Sequence, residues 1–159
     1  MSTEITTVTQ PMQEIHGLWG KSSDRTISKD IPALSKKYYE IVGKSSGSVI
    51  PFFVLSKNYD EQTQRFDLFV GGQIEHEQLE SYCLPEGVYG KVTVRPRFGF
   101  LWGMAVGRAK QHFYTKWLPS SEYAALNMEY ELHTEKSTGK KPEIEVLFAI
   151  TQEPKRQRG

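Results

Sequence analysis

Apolar and polar positions alternate with period two over residues 65–75 (RFDLFVGGQIE). Phe66, Leu68 and Val70 share one face of a predicted strand; Asp67, Phe69 and Gly71 share the other. Residues 128–135 (MEYELHTE) alternate in the same way, with Met128, Tyr130 and Leu132 opposite Glu129, Glu131 and His133. Further strands are predicted at 14–21, 49–56, 88–95 (Val88, Val92 and Val94 on one face) and 143–151. Two segments change to helical spacing. In the first, Ile31, Leu34, Tyr38 and Ile41 recur three to four residues apart, with Asp30 as cap, Pro32 in the first turn and Gly43 just past the end. The second runs from about 101 to 117, with Trp102, Ala105, Ala109, Phe113 and Trp117 along one side. Leu118-Pro119 is its expected stop, because proline cannot continue the helical ladder. Polar or Gly-rich stretches at 43–48, 57–64, 85–87 and 138–142 read as turns, and the first dozen residues as an arm or strand lead-in.

The element order is strand, helix, strand, strand, and then the same again. This predicts an α+β fold: a duplicated unit with pseudo-twofold symmetry, an antiparallel sheet carrying two helices, and a ligand cleft between the halves. The halves span about 12–76 and 84–152 of one domain over 1–159. The repeat lies in the order of elements, not in the residues.

Composition narrows the function classes. The chain has 159 residues, 38% of them hydrophobic, enough for a core in a single domain. Twenty basic and 19 acidic residues leave a net charge of +1, so nothing in the charge favours direct nucleic-acid binding or a membrane surface. A single cysteine, Cys83, excludes an internal disulfide and every Cys-pair zinc framework. The polar N-terminus lacks a signal-peptide pattern, and no apolar stretch approaches the length of a membrane span; a cytoplasmic protein is expected. The first dozen residues are too few for a helix-turn-helix, so a self-contained transcription factor is not expected. The unusual figure is 12% aromatic residues, a content that suits a binding surface as well as a core.

Several catalytic patterns fail on context. Gly43 to Gly47 matches G-x-S-x-G, but it follows a helix and opens a strand, the reverse of a nucleophile elbow. Gly-Lys-Ser at Gly20 and Gly43 lacks the upstream glycine of a phosphate loop. His16, His76, His112 and His133 lie on four different segments, so no metal site or cofactor is predicted. Cys83 has no base partner in sequence, and the basic run at 155–158 reads as a solvated tail. What survives is the polar face of the 128–133 strand. It either looks into water or points Glu131 into an aromatic-lined groove. In a groove, an unpaired carboxylate favours a cationic or hydrogen-bond-donating ligand. Aromatic faces also attract cations, by roughly 0.5–2 kcal/mol each.

The run 112–123 (HFYTKWLPSSEY), followed by 128–133 (MEYELH) and 143–150 (EIEVLFAI), resembles the C-terminal half of the GyrI-like small-molecule-binding domains. These are also the effector-binding domains of AraC- and MerR-type multidrug regulators. The shared features are W-L-P-x-S-x-Y, then aromatic-Glu-x-Tyr, then an alternating last strand. Pro85-Glu86-Gly87-Val88-Tyr89 resembles the family's Pro-x-Gly-x-Tyr, and residues 66–71 its aromatic strand ending in Val-Gly. His133 stands where the motif has tyrosine, and Leu68 replaces one tyrosine of the earlier strand.

The resemblance implies a cleft for planar aromatic compounds, cationic ones among them, with Glu131 at its floor. Tyr89, Phe69 and Trp117 are expected around that cleft, and Trp19 and Trp102 are further candidates. It also implies two alternatives. One is a hydrolase that opens the cyclopropane ring of DNA-alkylating natural products, with Glu131 or His133 positioning the attacking water. The other is a protein that interacts with DNA gyrase.

Overall fold

A computed structural model describes residues 4–45, 48–95, 102–138 and 141–151, the side chain of Trp102 excepted. The basic tail at 155–158 lies outside the described residues. The elements, in chain order, are β1 (Ile5–Gln10), β2 (Gln13–Ser23), α1 (Ile27–Val42), β3 (Phe52–Asp60), β4 (Arg65–Gly72), β5 (Glu80–Leu84), β6 (Gly87–Val94), α2 (Trp102–His112), β7 (Ala125–His133) and β8 (Ile144–Ile150). Among the described residues, the eight strands form one antiparallel sheet in the order β1-β6-β8-β7-β3-β4-β2-β5.

That order is its own mirror when β1 exchanges with β5, β2 with β6, β3 with β7 and β4 with β8. The expected duplication therefore holds, with one strand more per half. Each half is strand, strand, helix, strand, strand, and its first strand crosses to pair with the second strand of the other half: β1 with β6, β5 with β2. The pseudo-twofold axis passes between β3 and β7, which pair from Phe52↔His133 to Lys57↔Met128.

Both helices lie on one face of the sheet. α1 covers Phe52, Val54, Phe66, Leu68 and Val70 on β3 and β4. α2 covers Val92, Val94, Ile144, Val146, Phe148 and Ile150 on β6 and β8. On the other face the sheet curls so that strands from both edges share one cluster: Ile15, Phe53, Leu55, Phe69, Leu84, Tyr89, Tyr130 and Leu147, with Val8 and Trp19 against it.

Three helix details depart from the expectation. α1 starts a turn earlier than expected, with Thr26 in the capping position, so Pro32 sits inside the helix. Asp30 is not the cap. It lies in the first turn, where it accepts hydrogen bonds from the hydroxyls of Thr26 (2.7 Å) and Ser22 (2.8 Å). Those bonds hold its carboxyl below the ordinary range, and an anion there suits the positive helix end. Gly43 does end the helix as predicted, with φ of 67° and its N–H donated to the Tyr39 carbonyl.

The second helix does not stop at Leu118-Pro119. α2 widens into a π turn over Phe113–Trp117, where the Leu118 N–H reaches the Phe113 carbonyl, and closes with a last turn at Leu118–Ser120. The wider turn accommodates Pro119, which would clash in a regular ladder.

Candidate functional site

On the helix-bearing face of the sheet, β7 carries a row of ionisable side chains. There the cross-strand register sets Glu129 beside Ser56 and Phe148, Glu131 between Val54 and Val146, and His133 beside Phe52. The polar alternation on 128–133 therefore does not face open water. It forms a polar strip on the strand between the two helices.

At the Glu129 end of the strip lies a cavity of about 670 Å³. Ser56 and Glu129 contribute to its floor. Ile27 and Phe66 line it on the α1 side, and Lys110, Gln111, Tyr114 and Leu118 on the α2 side. At its mouth the Tyr59 hydroxyl donates to Asp24 Oδ2 (2.5 Å). The bond to Asp24, helped by burial, pushes the Tyr59 phenol up to about 12, so it stays a donor. The Tyr59 backbone is held by both ends of the Asn127 amide, at 2.8 and 3.1 Å.

The floor is electrostatically unusual. The Glu129 side chain is 15% exposed, and its Oε1 lies 3.6 Å from Lys110 Nζ. Its Oε2 is buried and makes no hydrogen bond. Burial raises the Glu129 pKa; Lys110 opposes the rise and Glu131 adds to it. Burial likewise raises Glu131, again opposed by Lys110. Burial disfavours the Lys110 charge, but Glu129 and Glu131 outweigh it and keep the ammonium protonated. The Tyr114 phenol is pushed up by burial and by Glu129. Burial lowers His133 to about 4, so its imidazole is neutral at pH 7. The Lys57 ammonium sits over Trp19 and Tyr82 on the far face of the sheet, at 5.8 and 5.2 Å from the ring centroids. Among the cavity residues, that leaves Lys110 as the cation beside Glu129, with Asp24 also acting on it.

The register divides the expected site residues between the two faces of the sheet. Glu131, His133 and Trp117 are on the helix side. Phe69, Tyr89 and Trp19 are on the opposite face, because Phe69 pairs with Leu55 and Trp19, and Tyr89 with Ala149. Phe69 and Tyr89 are core residues at 0% and 2% exposure, and Tyr89 donates its hydroxyl to the Pro85 carbonyl. Trp19 packs edge-on against Phe69 and Tyr82.

Trp117 stacks between Phe113 and Tyr123, where it anchors the helix end and does not line the cavity. Trp102 opens α2, and its side chain lies outside the described residues. Glu131 lies one same-face step from Glu129, and it is Glu129 that reaches the cavity wall. Lys110, Tyr114 and Tyr59 were not expected. The signal for the first two is their spacing of four, which sets them on one flank of the apolar stripe of α2.

No protein-family model matches the chain, and no curated protein matches it in sequence. Solved structures do match in fold. An integron cassette protein from the mobile metagenome of Vibrio cholerae superposes with a TM-score of 0.67 at 12% identity, over 92% of this chain and 95% of that one. SAV2435 bound to tetraphenylphosphonium superposes at 0.65 and 12% identity, over 95% and 94%. The EcmrR C-terminal domain does so at 0.57 and 11%, over 96% and 99%.

Proposed function

We propose, from the premise that this chain has the GyrI-like fold of MerR-type effector-binding domains, that the cavity between α1 and α2 binds a hydrophobic organic cation. The observation that carries this reading is Glu129: a carboxylate with a buried, unbonded oxygen in the wall of an aromatic cavity. Burying a charge without full compensation is costly, and a ligand that brings a positive charge and apolar surface relieves the cost while filling the cavity. Tyr114, Tyr59 and Phe66 supply aromatic surface for cation–π and stacking contacts. SAV2435, which shares the fold, is a protein that holds such a cation. Glu131 contributes long-range negative potential from one step along the strand.

The test uses two ions of the same shape and opposite charge, tetraphenylphosphonium and tetraphenylborate, titrated calorimetrically. The wild type should bind the phosphonium at least tenfold more tightly than the borate. Glu129→Gln should cut phosphonium affinity by roughly 1–3 kcal/mol, about ten- to a hundredfold. Equal affinity for the two ions would defeat the reading. Mass spectrometry of a cyclopropane-bearing alkylating compound, incubated in excess over protein, separates binding from turnover. Intact compound marks a binder, and ring-opened product beyond one equivalent marks a hydrolase.

A further inference from the structure

The cavity already contains a cation of its own. Lys110 projects from α2 into the same space as Glu129, with Nζ 3.6 Å from Oε1. At that distance the contact is an ion pair longer than a normal hydrogen bond, and the second carboxylate oxygen gains nothing from it. Lys110 is also only 25% exposed, so water screens the pair weakly.

We infer that Lys110 is a specificity-determining residue: a tethered counter-cation that occupies the carboxylate an incoming organic cation needs, and so sets how strongly this cleft binds cations. This rests on the cation-binding reading above. The groups that bear on Glu129 are Lys110 and Tyr114 from α2 and its π turn and Glu131 from its own strand; Asp24, at the cavity mouth, acts on Lys110. With Lys110 in place, a ligand cation must either displace the ammonium or share the carboxylates with it. Without Lys110 no ammonium competes for Glu129, while Tyr114 and Glu131 stay beside it, and in the empty cleft burial then favours its protonated form. Cation binding then has to release that proton, so its strength must rise with pH.

The experiment measures tetraphenylphosphonium affinity at pH 6 and pH 8 for the wild type, Lys110→Met and the double variant Lys110→Met/Glu129→Gln. Lys110→Met should bind at least tenfold more tightly than the wild type at pH 8, and much of that gain should vanish at pH 6. The double variant, which keeps only Glu131 of the two buried carboxylates, should lose most of the gain and most of the pH slope. Should Lys110→Met fail to fold, Lys110→Gln keeps a donor beside Glu129 while removing the charge, and carries the same expectation with a smaller gain. Wild-type binding without a gain in the Lys110 variant, or a gain equal at both pH values, would overturn this inference alone. Absence of phosphonium binding in all variants would overturn the binding reading and this inference with it.

Discussion

Phe113→Ala probes the packing that holds α2 beside the cleft. The ring has no exposed surface. It stacks on Phe148 with centroids 3.9 Å apart and planes 6° from parallel, and on Trp117 at 5.3 Å. Tyr114 meets it edge-on at 4.9 Å. Beneath it β6 carries Gly90, where an added Cβ would come within 3.1 Å of the ring. The strand thus offers no side chain to collapse into the space the ring leaves. Truncation of a buried Phe costs about 3–5 kcal/mol, with the larger values where the cavity cannot close. The upper half of that range is expected here, with a fall in Tm of roughly 10 °C for a chain of this length. Urea unfolding should show a lower midpoint with an unchanged slope, since the surface exposed on unfolding is nearly the same. A loss below about 1 kcal/mol would show that Phe113 does not fill the space between the π turn and β8.

Three further outcomes follow from particular residues. Gly107→Ala should raise stability by about 0.5–1 kcal/mol in the same unfolding assay, since an added Cβ meets nothing within 4 Å and the site is inside a helix. Gly17→Ala should be severe, at or beyond the upper end of about 1–3 kcal/mol, because the new Cβ would fall 1.9 Å from the Val70 carbonyl oxygen. His133 should make the fold acid-sensitive. Its native pKa of about 4 lies below the unfolded value of 6.5, so between them the unfolded chain binds more protons and stability falls as pH drops. The raised pKa values of Glu129 and Glu131 act in the opposite sense, so the wild-type profile is compared with that of His133→Gln; a parallel profile in the variant would refute the assignment.

The sequence pattern reached some of these features and missed others for physical reasons. Alternation along 128–133 correctly put Glu129, Glu131 and His133 on one face, since period two is a property of a single strand. It says nothing about which face of a neighbouring strand aligns with it. That depends on register, and a one-residue offset is what carries Phe69 and Trp19 to the far side. β1 and β5 were not read as strands because both are short, polar edge segments whose pairing partners lie in the other half of the chain. Pro119 reads as a stop under regular helix geometry, and the π turn removes the conflict. Lys110 draws no notice in sequence because a lysine on a helix is ordinary until the strand beneath it is known to carry two buried carboxylates.

On the proposed reading, ligand binding belongs to the helix-bearing face, in the cavity floored by Glu129. A crystal structure with tetraphenylphosphonium bound tests it most directly. The phosphonium is expected between α1 and α2, with a phenyl ring against Tyr114 and the Glu129 carboxylate turned towards the phosphorus. A phosphonium seated instead on the opposite face, among Trp19, Phe69 and Tyr82, would contradict it.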